Sequence, residues 1–272
     1  MIRTLVVRLG ALGDAVLTLP ALAHLLARGD TVTVLGLPAS WAFLPRRDRL
    51  RIEDADGPRS RGLFSGAASD ATSGFDRAVV MLGNVSVADA LTRAGIATTH
   101  VSPIKPGEAG EHAALRLLRG VGGTSVDAEA VRALIAPDPG GEEYDLVLHP
   151  GSGGKHKRWP ADRFAALARR FRSPLILLGP AEEELTPVFD GLNVAQAWPM
   201  RQVVSLLAKA HAFVGNDSGV SHLASWLCPT LALFGPTDPK VWAPAGPRGN
   251  LLVAPEGDLS RLTVDDVAGR LA

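Results

Sequence analysis

The sequence predicts an α/β protein of two domains, each with a parallel sheet covered by helices. The chain has 272 residues and is 46% hydrophobic, which is enough for two compact domains with their own cores. Strand-like and helix-like segments alternate along most of its length, a pattern typical of parallel sheets. The stretch IAPDPGGEE, residues 135–143, has two prolines and two glycines and is predicted to be a linker. We therefore expect one domain at 1–136 and the other at 137–272.

The first half begins with a short apolar strand, IRTLVVRL, and a glycine-rich turn, GALGD. Apolar residues at helical spacing then predict a helix over residues 14–28. The alternation repeats more weakly downstream. Further strands are predicted at DTVTVLGL, DRAVVML and IATTHVS, and further helices at VSVADALTRAG and GEHAALRLLRGVG.

The second half repeats the alternation more clearly. Strands are predicted at YDLVLHP, PLILLG, LNVAQA, HAFVGN and PTLALFG, and helices at PADRFAALARRF, PAEEELTPVFD, MRQVVSLLAKA, DSGVSHLASWL and 263–271. In open parallel sheets, ligands bind outside the carboxyl ends of the strands. We therefore expect the loops after the strands to face a central cleft between the two domains.

Composition narrows the class of protein. The chain has 28 basic and 28 acidic residues, and this balance gives no reason to expect binding to nucleic acid. The single cysteine, Cys228, excludes an internal disulfide, and its apolar surroundings predict a buried, inert thiol. The amino terminus lacks a clean signal-peptide core, and no run of about 18 uncharged apolar residues predicts a membrane span. We expect a cytoplasmic protein.

The first loop of interest is LGALGD, which ends at Asp14. Its glycines allow positive φ angles and a close approach of the backbone to a ligand. The spacing is not G-x-G-x-x-G, so a dinucleotide fingerprint is not supported. Asp14 is either a helix cap or a group that takes part in chemistry, and the two roles are compatible.

The second loop is HPGSGGKHKRWP, residues 149–160. It combines small residues and the Ser152 hydroxyl with four consecutive residues that are basic or can become so: Lys155, His156, Lys157 and Arg158. Backbone N–H groups and cations together suit a polyanion such as a pyrophosphate. The alternative is a solvated basic loop.

The third loop is GNDSGVSHLASW, residues 215–226, in which Asp217, Ser218 and Gly219 are predicted to open a helix directly after a strand. A helix start exposes N–H donors and the positive end of the helix dipole, which favours anions. His222 lies on the same helix face as Ser218. Asp217 as a plain cap and His222 as a core histidine remain alternatives. A Ser–His–Asp hydrolase is disfavoured because no G-x-S-x-G elbow is present.

Two further observations concern rigidity and metals. The fourth loop, FGPTDPKVWAP, residues 234–244, has three prolines around Thr237 and Asp238 and predicts a rigid turn. The sequence has no H-E-x-x-H or C-x-x-C motif, so neither a metal nor another cofactor is expected. In such a site, protein cations and helix dipoles would take the charge of a leaving group.

These loops, in this order, resemble the signatures of glycosyltransferase family 9, the ADP-heptose:lipopolysaccharide heptosyltransferases. The resemblance depends on RLGALGDAVLTLPAL, KRWP, NDSGVSHLASW and FGPTDP, which lie between residues 8 and 239; residues 40–130 match none of the signatures. It implies a GT-B architecture with two Rossmann-like domains whose parallel sheets face a central cleft. The first would be the acceptor-side domain, and the second would bind a nucleotide sugar.

The resemblance also implies a reaction. It is metal-independent, inverting transfer of a sugar, with heptose as the first expectation, from an ADP-sugar to lipopolysaccharide core or another glycan or glycolipid acceptor. Asp14 falls at the family's base, with Gly13 beside it at the donor. Lys157 falls at the lysine on the donor diphosphate, where it is expected to assist catalysis, and Ser152 at a hydroxyl contact in the same loop.

Further donor contacts follow from the same resemblance. Four residues match the D-[TS]-G-x-x-H element at the diphosphate: Asp217, Ser218, Gly219 and His222. Met200 matches a position on the side of the nucleotide base. An acid in GPAEEEL is expected to reach the ribose; Glu183 is preferred, with Glu182 and Glu184 as nearly equal alternatives.

Two features depart from the family. The chain is short, and the shortfall lies in the acceptor-side half. The stretch RRDRLRIEDADGPRSRG, residues 46–62, is unusual because its acids are interleaved with six arginines: Arg46, Arg47, Arg49, Arg51, Arg59 and Arg61. They form either a solvated face or a contact with a phosphorylated lipid acceptor or the inner membrane surface.

Two other functions remain as alternatives to a transferase. The protein could be a non-catalytic nucleotide-sugar-binding protein or a nucleotide-sugar epimerase.

Overall fold

The computed structural model describes residues 1–58, 60–64, 73–104 and 110–271. The chain divides into two compact units, Met1–Ala136 and Pro137–Ala272. Each unit is built around a sheet in which every pair of neighbouring strands is parallel. The prediction of two parallel α/β sheets is confirmed.

The first unit has a five-stranded sheet in the order β3-β2-β1-β4-β5. Its elements are β1 (Arg3–Val7), α1 (Leu12–Ala27), β2 (Thr31–Gly36), α2 (Pro38–Trp41), β3 (Leu50–Asp54), α3 (Arg61–Phe64), β4 (Arg77–Val80), α4 (Ser86–Arg93), β5 (Ala97–His100), α5 (Ala113–Gly120) and α6 (Ala128–Ile135). The strand order changes direction between β1 and β4. The carboxyl ends of these two strands are therefore the switch point at which ligands commonly bind.

The second unit has a six-stranded sheet in the order β11-β10-β9-β6-β7-β8. Its elements are β6 (Leu146–His149), α7 (Ala161–Ala168), β7 (Pro174–Leu178), β8 (Asn193–Gln196), α8 (Met200–Lys209), β9 (Phe213–Asn216), α9 (Gly219–Leu227), β10 (Thr230–Phe234), α10 (Pro239–Trp242), β11 (Gly249–Val253) and α11 (Val264–Ala268). Short 3₁₀ helices cover Lys155–Lys157, Pro180–Phe189, Pro255–Gly257 and Leu259–Arg261. Here the switch point lies between β6 and β9.

Buried central strands position the loops in both units. In β1, the residues after Arg3 are buried, and all residues of β6 are buried. Strands that are covered on both faces appear as continuous apolar runs, and this is why the sequence indicated both of them. Helix α1 packs against β2, α5 and α6, so ten of its residues are buried and its apolar pattern extends around most of the helix.

Several elements differ from the sequence prediction. Helix α1 begins at Leu12, earlier than the predicted residue 14. The segment PAEEELTPVFD forms the 3₁₀ helix Pro180–Phe189, because Pro187 lies inside it and cannot donate a backbone hydrogen bond. Two strands and four helices were not predicted: β3, β11, α2, α3, α6 and α10. Strands β3 and β11 lie at sheet edges and are only partly buried, so their apolar alternation is weak.

The arginine-rich stretch does more than form a solvated face. Arg47 donates hydrogen bonds to Ala133 O and Leu134 O in the last turn of α6, and Arg49 donates one to Leu26 O in the last turn of α1. A cation at a helix carboxyl terminus is favourable. The solvated-face interpretation is therefore wrong for these two. Arg46, Arg51 and Arg61 are exposed, and Arg59 lies outside the described residues.

Two smaller expectations can be compared with the structure. Cys228 is buried, as predicted, and burial raises the pKa of its thiol to about 12. Across the described ranges, no helix is both long enough and apolar enough to span a bilayer.

Candidate functional site

The loop after β1 positions Asp14 at the switch point of the first unit. Gly10 has a φ of +134°, a conformation that L side chains rarely adopt, and a Cβ there would lie 2.4 Å from Asp14 Oδ2. Gly10 therefore gives the chain both the turn and the space that the carboxylate occupies. Gly13 lies in the first turn of α1 and is partly buried.

Asp14 is not the N-cap residue that the sequence suggested. The N-cap of α1 is Ala11, and Asp14 is the third helical residue, whose Oδ2 accepts a hydrogen bond from Ala11 N at 3.2 Å. The carboxylate therefore closes the helix start from inside the first turn, where it also interacts favourably with the helix dipole. The expectation that Asp14 stabilises the helix start is right, but its position is different.

Asp14 also forms an ion pair with Arg8, a residue that the sequence analysis did not single out. Arg8 Nη2 lies 2.6 Å from Asp14 Oδ1, and the side chains are 7% and 38% exposed respectively. Arg8 Nη1 donates to Met81 O at 3.1 Å, at the end of β4. Burial lowers the pKa of Arg8, and the Asp14 charge opposes this shift. The sequence feature that could have indicated Arg8 is a cation at the end of an apolar strand.

In the second unit, three of the four loops meet at Asp217. Its carboxyl Oδ2 accepts from Lys157 Nζ at 3.0 Å and from Thr237 Oγ1 at 2.8 Å. Its backbone carbonyl accepts from Ser152 Oγ at 3.0 Å. The side chain of Asp217 is 8% exposed and that of Lys157 is 28% exposed. The structure thus brings together Ser152, Lys157 and Asp217, and adds Thr237.

The start of α9 lies directly beside this cluster. Ser218 is the N-cap residue, with Oγ accepting from Ser221 N at 3.3 Å, and the helix begins at Gly219. The alternative in which Asp217 is the cap is therefore wrong. His222 is buried in the helix and donates its backbone N–H to Ser218 O at 3.1 Å. The first N–H groups of α9 are available for an anion.

Asn216, at the end of β9, fixes the basic loop in place. Its Nδ2 donates to Pro150 O at 2.8 Å, and its Oδ1 accepts from Trp159 N at 2.8 Å. Asn216 is fully buried, and it joins β9 to both ends of the loop across the switch point. The sequence analysis missed it, although a polar residue that ends a buried strand is the signal that could have found it.

The acids of GPAEEEL occupy different environments. Glu182 is buried; its Oε2 accepts from Gly179 N at 3.0 Å, and its Oε1 lies 3.4 Å from Arg158 Nη2. Glu183 is exposed, and Glu184 Oε1 lies 3.8 Å from Arg158 Nη1. Which of the three reaches a ribose stays a prediction.

Two more residues complete the surroundings of the basic loop. His149 is buried at the end of β6, with Nδ1 2.9 Å from Leu177 O, and burial is the main cause that lowers its pKa. Met200 is the first residue of α8 and is partly buried. Throughout the part of the chain that the structure describes, no group of three or more His, Cys, Asp or Glu residues could hold a metal ion.

The fold and these loops define an α/β protein of two parallel-sheet units, each with an ion pair at its switch point. The chain belongs to glycosyltransferase family 9 (heptosyltransferase), because residues 125–270 match that family. The resemblance predicted from the sequence is thereby confirmed.

Two relatives illustrate the sequence similarity. The lipooligosaccharide heptosyltransferase 2 of Haemophilus influenzae is 31% identical over 149 residues, which cover 47% of this chain and 42% of the relative. The lipopolysaccharide heptosyltransferase 1 of Pseudomonas aeruginosa is 36% identical over 129 residues, which cover 44% of this chain and 35% of the relative. The matched region thus spans less than half the length of these curated relatives.

Solved structures extend the similarity to nearly the whole chain. The Escherichia coli heptosyltransferase WaaC with ADP aligns with a TM-score of 0.77 at 21% identity, covering 99% of both chains. The E. coli ADP-heptose lps heptosyltransferase II aligns with a TM-score of 0.75 at 21% identity, covering 99% of this chain and 97% of that one. At this identity the similarity concerns the fold, and it confirms the predicted α/β, GT-B fold class.

Proposed function

We propose that this protein is a metal-independent, inverting glycosyltransferase that moves a sugar, heptose in the first instance, from an ADP-sugar to lipopolysaccharide core or another glycan or glycolipid acceptor. Family membership supports the reaction class, and the named relatives are heptosyltransferases. One solved neighbour contains ADP and another ADP-2-deoxy-2-fluoro heptose, which supports ADP as the nucleotide.

The observation that supports donor binding most strongly is the position of Lys157 beside the start of α9. Asp217 and Thr237 are held together at the base of the loop, and the Lys157 ammonium is the more exposed partner of its ion pair. A diphosphate would gain a charge-assisted contact from Lys157 and backbone N–H contacts from Ser218 and Gly219. These groups would stabilise the negative charge that develops as the diphosphate leaves.

Asp14 is the proposed base. The acceptor hydroxyl attacks the anomeric carbon from the face opposite the diphosphate, so a new C–O bond forms as the bond to the diphosphate breaks. The hydroxyl proton passes to the Asp14 carboxylate, which is partly exposed and ready to accept it. Attack from the opposite face inverts the anomeric configuration.

The remaining donor contacts are proposed from the family pattern. Glu183 would contact the ribose, with Glu182 and Glu184 as alternatives, and Met200 would lie on the side of the base. The other proposed contacts are Gly13, Ser152, Asp217 and His222.

We also propose that the protein works at the cytoplasmic face of the inner membrane, in peripheral contact with anionic lipid. Arg46 and Arg51 support this, because both side chains are exposed near β3 and remain available to phosphate groups. Sedimentation with vesicles that contain anionic lipid tests the contact. Binding that disappears in the double variant Arg46→Ala, Arg51→Ala supports it, and equal binding of the variant rejects it.

The first experiment is a thermal-shift titration with ADP, UDP, GDP and their common sugar conjugates, with and without EDTA, followed by product analysis with and without acceptor. A ligand far above its Kd raises stability by a few kcal/mol. We expect selective stabilisation by ADP or an ADP-sugar that EDTA does not change, and a glycosylated acceptor. An isomerised sugar formed without acceptor would indicate an epimerase, and donor binding without product would indicate a non-catalytic protein.

A further inference from the structure

We infer that Arg8 is a positioning residue for the proposed base, Asp14: its buried guanidinium fixes one carboxylate oxygen and leaves the other, which accepts a backbone N–H only, to take the proton of the acceptor. This inference rests on the proposed transferase function. Arg8 lies where three neighbouring strands end. Its backbone N–H donates to Leu35 O at 3.0 Å near the end of β2, and its Nη1 donates to Met81 O at 3.1 Å, directly after β4.

The two oxygens of Asp14 have different environments. Oδ1 receives the short charged contact from Arg8 Nη2 at 2.6 Å, whereas Oδ2 receives only the longer contact from Ala11 N at 3.2 Å. Gly10 has no side chain to cover Oδ2. Oδ2 is therefore the oxygen that takes the proton when the O–H bond of the acceptor breaks. Arg8 keeps its contact with Oδ1 throughout and so holds the carboxylate in one orientation.

Burying the charged side chain of Arg8 costs free energy. The capping of α1 by Asp14 does not by itself explain why a cation is buried there. Its Nε is buried and has no hydrogen-bond partner within the described ranges, so the guanidinium is incompletely compensated. Replacing a buried ion pair by apolar side chains is often neutral or stabilising. Arg77 Nε is also buried without a partner in the described ranges, so the feature that sets Arg8 apart is its position beside Asp14 at the carboxyl ends of the strands.

The opposite end of the same sheet provides a matched control. Arg77 forms an ion pair with the buried Asp30, which also accepts from Thr4 Oγ1 at 2.9 Å. This pair lies at the amino ends of the strands, because Thr4 is the second residue of β1, Arg77 begins β4 and Asp30 directly precedes β2. It has the same chemistry as the Arg8–Asp14 pair but is remote from the proposed base.

The test compares the variants Arg8→Met, Arg8→Lys and Arg77→Met. We expect Arg8→Met to lower kcat by about 10²-fold, the scale of a misplaced catalytic group, while the Kd for ADP measured by calorimetry stays within about twofold. Arg8→Lys should lose less, about tenfold, because an ammonium is charged but lacks the planar fork that reaches Met81 and Asp14 together. Arg77→Met should lower Tm and leave the kcat of the folded protein unchanged.

The outcomes separate the possibilities. An Arg8→Met variant with the kcat of the wild type, or one that loses kcat only in proportion to its folded fraction, overturns the inference and leaves the proposed function intact. If Arg8→Met does not fold, Arg8→Lys decides in the same way. A wild-type protein that binds ADP but transfers no sugar overturns the proposed function, and the inference with it.

Discussion

Each unit pairs a carboxylate with a cation at its switch point, but the two units bury opposite partners. In the first, the cation Arg8 is buried and the acid Asp14 is the more exposed member. In the second, the acid Asp217 is buried and the cation Lys157 is the more exposed member. The exposed member is the one that a ligand can contact. The comparison therefore suggests a proton acceptor in the first unit and an anion-binding group in the second.

The difference originates in the local sequence. Arg8 directly follows a buried strand, so its guanidinium lies in the first unit's interior, and Gly10 leaves space for the acid. Asp217 directly follows buried β9, and Lys157 reaches it from a 3₁₀ turn on the surface. In both units the charge that directly follows the strand is buried, and its partner, in a helical turn, is the more accessible one.

The largest expected effect is that of Asp14→Asn. Loss of a general base lowers kcat by roughly 10²- to 10⁴-fold. The Kd for ADP should change little, because the exposed acid in this pair serves the acceptor and not the nucleotide. Steady-state kinetics and calorimetry measure the two quantities.

The matched control for Asp14→Asn is Asp89→Asn. Asp89 is also an acid in the first turn of a helix of this unit, and it is exposed. Its replacement should leave kcat unchanged. An Asp14→Asn variant that turns over as fast as Asp89→Asn would remove Asp14 from the mechanism.

The next effect is that of Lys157→Ala on donor affinity. A hydrogen bond to a charged group contributes about 1.5–3 kcal/mol, so the Kd for ADP should rise roughly 10- to 100-fold. Higher salt should weaken ADP binding to the wild type more than to the variant, because the variant has lost one charge contact. Lys155→Ala is the control, since Lys155 is exposed in the same loop. Equal affinities of the two variants would contradict the anion-binding role.

A smaller effect is expected for Thr237→Val. The change keeps the shape of the side chain and removes the 2.8 Å hydrogen bond to Asp217 Oδ2. Such a bond contributes about 0.5–1.5 kcal/mol, so the Kd for ADP should rise about two- to tenfold. Thr230→Val, which removes a buried hydroxyl bonded to Cys228 O, should lower stability without changing the Kd. If Thr237→Val binds ADP like the wild type, the orientation of Lys157 does not depend on Thr237.

Much of the fold and part of the site could be predicted because both depend on local patterns. Buried central strands give continuous apolar runs, and the loops after them contain Asp14, Lys157 and Asp217. The edge strand β3, LRIED, was missed because three of its five residues are charged and only Leu50 is buried.

The contacts between residues of the site were harder to predict than the identity of those residues. The contact between Thr237 and Asp217 joins residues 20 positions apart, and that between Asn216 and Pro150 joins residues 66 apart. Spacing along the sequence indicates neighbours on one helix or strand, but these contacts depend on the order of strands in the sheet. For the same reason, the sequence could not show which charge of each ion pair is buried.

The second unit differs from the first in one more respect that can be tested by pH: its switch point includes His149. Burial lowers the pKa of His149, and Glu182 and Arg158 act on it in opposite directions. The ordinary pKa of histidine is about 6.5. As the pH falls through this value, His149 binds a proton more readily in the unfolded chain than in the folded one, so the free energy of unfolding falls. Between about pH 7 and about pH 6, the free energy of unfolding should therefore fall as His149 of the unfolded chain takes up its proton.

His149→Asn isolates this contribution, because an amide nitrogen can replace Nδ1 as the donor to Leu177 O. Urea unfolding of both proteins at several pH values gives the free energy of each. The wild type should lose more stability than the variant over this range, since all other titrating groups are shared and cancel in the difference. Parallel pH profiles would mean that the folded protein accepts a proton on His149 as readily as the unfolded chain. In that case, burial would not disfavour the charged form of His149. The contrast between buried and accessible partners would then not extend to this residue.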